Sequence, residues 1–251
     1  MEKWLVIGSD DRLRTLAKKM TSPSRTVFYR GSDIWDATLN ATVLDFFPDY
    51  IVLPIQPMKI EVPLLLGIKH AQFYAGRLNE HWEALLKDQR VTRYLEDESF
   101  IWKNASLTAE GLLAYFYERQ ITISGKSFVV TGFGRVAKMI AMKLKSLNAD
   151  VTIAVRSQVQ KSEAKVFGFS VIDLKPEAMI EADALINTVP AQWLTQPFNE
   201  QISMPIFDVA SSPGCLYYVI RPDYIMLSSL PGKYFADDAA QILYESIAEE
   251  E

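Results

Sequence analysis

The sequence has a single cysteine, Cys215, in 251 residues, so no disulfide can form within the chain and a disulfide-stapled scaffold is excluded. Its two histidines, His70 and His81, leave no His- or Cys-rich metal site to expect. Basic charge is in deficit. The 26 Lys and Arg face 31 Asp and Glu, and a net charge of −5 argues against a nucleic-acid-binding surface. Long apolar runs are missing as well. Pieces such as residues 5–7 and 51–53 fall far short of the ~18 apolar residues of a membrane-spanning helix. The stretch from Met1 to Gly8 lacks a signal-peptide layout, because its apolar part ends almost at once. A soluble cytoplasmic protein with no membrane and no nucleic-acid partner is expected.

What is present is globular in composition. With 49% hydrophobic and 23% charged residues, the chain can build one or two domains, and disordered or collagen-like chains are excluded. Short β-branched runs alternate with helical patterns, which reads as α/β. In the first part, strands are expected at residues 4–7, 26–29 and 50–55, with a helix at 11–20. Residues 64–82 give no clear assignment, and Pro48, Pro54, Pro57 and Pro63 break that region into short pieces. Ser106 and Thr108 are possible N-caps for a helix at 109–119.

A cleaner rhythm follows. Strands are expected at 127–131, 151–155, 170–172, 184–187, 205–209 and 224–227, with helices at 135–147 and 158–167. Val136, Ile140, Leu144 and Leu147 share one helix face. Six strands with helical connections are what a doubly wound dinucleotide domain needs. The last amphipathic segment, residues 235–249, has no strand after it and is expected to return to the first domain.

The strongest motif is Gly132-Phe133-Gly134-Arg135-Val136-Ala137, a G-x-G-x-x-A placed after one expected strand and opening a helix. Gly132 suits the tight turn, Gly134 lets a pyrophosphate approach the backbone, and Ala137 allows close helix–strand packing. The helix N-terminus then offers N–H groups to phosphate. At the end of the next strand, where an NAD site has Asp or Glu, stand Arg156 and Ser157. A guanidinium and a hydroxyl suit a ribose 2′-phosphate, so NADP is the expected cofactor. Asn187, Thr188 and Pro190 close a third strand and are read as facing the cofactor, with ordinary turn chemistry as the alternative. The loops at 208–214 and 230–232 lie on the same edge and are read as turns.

These motifs together resemble the dipicolinate synthase A-chain family. The resemblance rests on residues 7–12 (Ile-Gly-Ser-Asp-Asp-Arg), 104–111 (Asn-Ala-Ser-Leu-Thr-Ala-Glu-Gly), 132–135, 154–157, 186–190, 208–214 and 230–233, and runs over most of the chain. It implies two α/β domains arranged as in D-2-hydroxyacid dehydrogenases. They would be a flavodoxin-like N-terminal domain over 1–105, completed by the helix at 235–249, and a Rossmann NAD(P)-binding domain over 121–230. It further implies NADP-linked oxidation of dihydrodipicolinate to pyridine-2,6-dicarboxylate in sporulation, a second, flavoprotein-like chain as partner, and a homo-oligomer. The small dicarboxylate substrate would lie in the cleft. Its contacts would come from Arg12, Asn104, Thr108 and Ser211, and Glu110 would be the acid–base candidate. Two positions depart from the family pattern. Ser212 stands where the family tends to be basic, and Ala236-Asp237-Asp238-Ala239-Ala240 replaces a Pro-x-Thr-Ala-Gly-like stretch. They leave open a dehydrogenase of the same fold with another substrate, or a non-catalytic NADP-binding sensor or partner protein.

Overall fold

A computed structural model describes residues 1–62, 70–218 and 220–248. The chain divides into two compact α/β units. One comprises Met1–Asn104 with Pro231–Glu251, the other Ala105–Leu230.

The first unit contains β1 (Glu2–Ile7), α1 (Asp11–Met20), β2 (Arg25–Arg30), β3 (Ile34–Trp35), α2 (Ala37–Phe46), β4 (Tyr50–Val52), β5 (Lys59–Ile60), β6 (Gln72–Ala75), α3 (Glu80–Leu85) and β7 (Arg90–Arg93). Five of these strands form a parallel sheet in the order β2-β1-β4-β6-β7, which is the flavodoxin-like order, and β3 pairs with β5 apart from it. β1 is apolar on both faces. Leu5 and Ile7 pack with Trp35, Leu39, Phe73 and Trp82 on one side, and Trp4 and Val6 pack with Leu13, Leu16 and Met20 of α1 on the other. Such two-sided burial is what a parallel sheet with helices on both faces requires. The unassigned stretch at 64–82 holds β6 and the start of α3, and its residues up to 69 lie outside the described residues.

The helix α4 (Glu98–Glu118) is twice as long as the expected 109–119, and it runs across the division between the units. Ser106 and Thr108 are not its caps. Asp97 accepts the N–H of Ser99 at 2.8 Å and opens the helix eleven residues earlier than expected. Ala105, Ala109, Leu112 and Phe116 are all buried and form one stripe along it.

The second unit continues with β8 (Ser127–Thr131), α5 (Arg135–Ser146), β9 (Asp150–Val155), α6 (Gln158–Val166), β10 (Ser170–Asp173), β11 (Ala184–Asn187), α7 (Gln196–Gln201), β12 (Ile206–Asp208) and β13 (Tyr224–Met226). All six strands are parallel, in the order β10-β9-β8-β11-β12-β13. Numbered within the unit this is 3-2-1-4-5-6, the doubly wound dinucleotide-binding order. Val129, Leu185 and Ile206 pack on Trp193 and Phe198. Phe116 of α4 stacks on Phe128 at 5.9 Å and meets Phe207 edge-on at 4.8 Å.

After β13 come α8 (Leu230–Tyr234) and α9 (Ala236–Ala248). α9 lies against α1, burying Ala240, Leu243 and Ile247 in the same cluster as Trp4 and Leu16. Burial of Leu243 and Ile247 is worth about 1.5–3 kcal/mol each. The Asp237 departure has a use here, because it sits in the first turn of α9 and pairs with Lys19 of α1 at 3.1 Å. Glu249, the last residue of the expected helix, lies outside the described residues. Among the described residues no helix is long and apolar enough to cross a membrane.

Candidate functional site

The carboxyl edge of the second sheet carries the glycine turn. Gly132 has φ +80°, a conformation L side chains rarely adopt, and its N–H donates to the Ala154 carbonyl at 2.9 Å. A Cβ there would meet Thr188 Oγ1 and Val189 Cγ2 at 3.0 Å. Gly134 is different. It is the extended N-cap residue of α5, no side chain caps the helix, and a Cβ built on it would meet nothing within 4 Å. A glycine with open space over it, at an uncapped helix start, fits a pyrophosphate laid on the backbone. The first turn of α5 has no acid and opens on Arg135, against the preference of the helix dipole, while Lys138 one residue further on is paired with Glu163 of α6. A cation in that position is useful when a phosphate sits beside it. Ala137 is fully buried, as its packing role requires.

In the equivalent turn of the first unit the helix start is already capped, which leaves no N–H groups there for a pyrophosphate. Asp10 caps α1 by accepting the N–H of Arg12 at 3.0 Å, and Asp11 occupies the first turn. A phosphate there would meet two carboxylates.

At the end of β9, Arg156 is exposed and has no ion pair or hydrogen bond among the described residues. Ser157 caps α6, its Oγ accepting the Gln160 N–H at 3.4 Å, so its hydroxyl proton remains to donate. The acid nearest in the sheet is Asp173, level with Val155. It is neutralised by Lys161 and, at 3.8 Å, Lys175. The Lys161 ammonium holds the Asp173 carboxyl below the usual carboxylate range. Arg156, Lys161 and Lys175 against Asp173 leave this strand end cationic.

Asn187 is not available to a ligand in the way the sequence suggests. It is fully buried. Its Oδ1 accepts from Thr131 Oγ1 at 2.6 Å, Trp193 Nε1 at 3.0 Å and the Val189 N–H at 3.1 Å, while Nδ2 donates to the Val189 carbonyl and to Asp208 Oδ1. Both amide protons are used, so Asn187 positions the loop instead of touching a cofactor. Thr188 donates to the Thr131 carbonyl at 2.7 Å and lies beside Gly132, so its hydroxyl faces the turn. Pro190 is exposed at the mouth of this loop.

Asp208 is the residue that sequence reasoning passed over. Fully buried at the end of β12, it accepts four hydrogen bonds, from Asn187 Nδ2, the Ala210 and Cys215 N–H groups and the Tyr224 hydroxyl, all within 2.7–2.9 Å. Burial, aided by Asp208, pushes both the Cys215 thiol and the Tyr224 phenol well above their ordinary ranges. Cys215 is therefore no nucleophile. An acid directly after the apolar pair Ile206-Phe207 was the signal available. Ser211 and Ser212 follow in the loop that Asp208 ties down, with Ser211 half-buried and Ser212 exposed.

The remaining residues divide between the units. Arg12 is 3% exposed and sits in the first unit, where Nε pairs with Asp10 at 3.0 Å and Nη1 donates to Asn104 Oδ1 at 2.9 Å. Its Nη2 has no hydrogen-bond partner among the described residues. Thr108 is half-buried one turn beyond Asn104 on α4. Glu110, the acid–base candidate, lies on α4 in the second unit. Its carboxylate is held by Lys143 of α5 at 3.0 Å, more than two turns from the glycine turn, where it ties helix to helix. Gly111 beside it is needed because Leu230 lies where a Cβ would be, 2.8 Å away.

Comparison with known proteins agrees with this geometry. Residues 103–202 match the family model of the D-isomer specific 2-hydroxyacid dehydrogenase NAD binding domain. The dipicolinate synthase A chain from Bacillus halodurans has a similar structure, with a TM-score of 0.76 and 21% identity over 99% of this chain and 97% of that one. The dipicolinate synthase A chain from Bacillus subtilis superposes with a TM-score of 0.74 and 21% identity, over 99% and 95% of the two chains. Salmonella D-lactate dehydrogenase gives 0.63 at 12% identity, over 99% and 95%. The fold is thus the two-domain Rossmann-type fold of these proteins, and the second unit is of the nicotinamide-dinucleotide-binding type.

Proposed function

We propose that this chain is an NADP-dependent dehydrogenase that oxidises a small dicarboxylate, dihydrodipicolinate, to pyridine-2,6-dicarboxylate. The observation that carries the cofactor half is the open space over Gly134 at an uncapped helix start, together with Arg156 at the next strand end, exposed and without an ion pair among the described residues. The substrate half is supported by the likeness to the two dipicolinate synthase A chains and by the unused Nη2 of Arg12.

Gly132, Gly134 and the N–H groups opening α5 would hold the pyrophosphate, with Arg135 beside it. Arg156 and Ser157 would take the 2′-phosphate. When bound, NADP supplies a hydride acceptor at nicotinamide C4. The chain's own contribution is to bind and orient. Asp208 and Asn187 fix the loops at 188–190 and 210–215, and Arg12, already braced by Asp10 and Asn104, turns its free edge to a carboxylate. Loss of a ring proton completes an aromatic ring, so a strong protein base is not required, consistent with Glu110 being occupied by Lys143. A flavoprotein-like partner chain and self-association belong to the same reading.

The test is NADPH formation with dihydrodipicolinate. Turnover is expected, and Arg12→Ala should raise KM about ten- to a hundredfold while NADP affinity stays at the wild-type value. An unchanged KM would reject the role of Arg12. NADP binding without any hydride transfer, even with a flavoprotein-like partner present, would favour the sensor reading.

A further inference from the structure

The carboxyl edge of the first sheet has more guanidinium donors than its own acids can use. Asp10 is engaged by Arg12, Asp11 by Arg14, and Asp33 accepts both the N–H and the hydroxyl of Ser9. Arg93, at the end of β7, is paired with Glu83 and Glu96. The arginines that follow or end β1, β2 and β6 each keep an unused donor among the described residues. They are Arg12 at Nη2, Arg30 at the end of β2, whose Nε is buried without a partner, and Arg77 just beyond β6.

Strand order decides which of them faces a ligand. In the order β2-β1-β4-β6-β7, the connections run to opposite sides between β1 and β4, and ligands of open α/β sheets bind over that switch point. Arg12 follows β1 and Arg77 follows β6, so the two flank it, whereas Arg30 lies on the outer side of β1. The ends of β1 and β6 are two strand spacings apart, about 10 Å. The backbone between them is firmly placed. The Arg77 N–H donates to the Ile55 carbonyl at 2.8 Å. A Cβ on Gly76 would lie 2.5 Å from Ile55 Cα and 2.7 Å from the Tyr94 hydroxyl, and the buried Tyr94 in turn lies within the electrostatic reach of Arg12. Arg77 is exposed, its backbone pinned and its guanidinium unpaired among the described residues.

We infer that Arg77 is a specificity residue that recognises a second anionic group, so that this edge prefers ligands with two carboxylates over ligands with one. The inference rests on the proposed role of Arg12 as the first anion contact. It gives the first unit two cations on one ligand, independent of the neutral Ser212.

The test is calorimetric binding of pyridine-2,6-dicarboxylate and pyridine-2-carboxylate to the full chain, with and without NADPH. Wild type is expected to bind the dicarboxylate about tenfold or more tightly than the monocarboxylate. Arg77→Gln should remove most of that difference by weakening the dicarboxylate alone. Arg30→Gln should leave both affinities unchanged, and Arg12→Gln should weaken both. If Arg77→Gln weakens neither probe, weakens both equally, or if Arg30→Gln removes the difference instead, Arg77 is not the specificity residue although the Arg12 reading stands. If wild type binds neither probe, the functional reading itself fails and the inference with it.

Discussion

Replacing Gly134 with alanine is expected to leave the fold intact and to weaken NADP binding by at least about tenfold. Most glycines in such a turn cannot separate these two effects. At Gly132 the backbone has φ +80° and a Cβ would press on Thr188 and Val189, so any substitution costs stability as well as binding. Gly134 has φ −79° and ψ −172°, which alanine adopts without strain, and its missing Cβ points into open space. The stability cost is that of a poorer N-cap, about 1 kcal/mol or less. The binding cost comes from a methyl group standing where the pyrophosphate must reach the N–H groups of α5, with loss of hydrogen bonds to a charged group at about 1.5–3 kcal/mol each. Thermal unfolding and calorimetric titration of the same preparation check both halves. Equal affinity in the variant would mean that no dinucleotide lies on this turn.

The second large effect is structural. Asp208→Ala is expected to destabilise the second unit by about 3 kcal/mol or more, because it strands three buried donors, each costing about 1–3 kcal/mol when left unsatisfied, besides the half-buried Tyr224 hydroxyl. Against a total stability of about 5–15 kcal/mol that is a large fraction. Asp208→Asn should be milder. The Tyr224 hydroxyl can rotate to accept from the new amide, leaving chiefly the Cys215 N–H opposed to a donor. Denaturant unfolding followed through the tryptophans distinguishes these outcomes. A midpoint for Asp208→Ala equal to wild type would show that the buried network does not hold the loops.

The parts of the fold that could be read from the sequence are those encoded locally. β8 and α5 follow from an apolar run, two glycines and a helical stripe that sit next to one another, and the structure starts and ends β8 where the sequence does. α2 and β7 were not anticipated. α2 buries only Leu39 and Val43, too narrow a stripe to stand out, and β7 reads Arg-Val-Thr-Arg, an edge strand with charged ends. The start of α4 was misplaced because Ser106 and Thr108 look like caps, although the buried stripe beginning at Ala105 carries the helix through them. In the site, the glycine turn is legible because its conformation is encoded locally, by two glycines between β8 and α5. The partners of Asn187 and Glu110 are not, since Asp208 and Lys143 lie 21 and 33 residues away in the chain. A polar residue at a strand end can turn outward to a ligand or inward to a network, and only tertiary contacts decide between them.

The central claim is a cofactor with a 2′-phosphate held at the ends of β8 and β9. Calorimetric titration of the unmodified chain with NADP and with NAD tests this most directly. Tighter binding of NADP is expected, by about ten- to a hundredfold, from one charge-assisted contact to Arg156 on a strand end already made cationic by Lys161 and Lys175. Arg156→Asp should erase or invert the preference. Equal affinity for the two cofactors, or tighter binding of NAD by the unmodified chain, would contradict it.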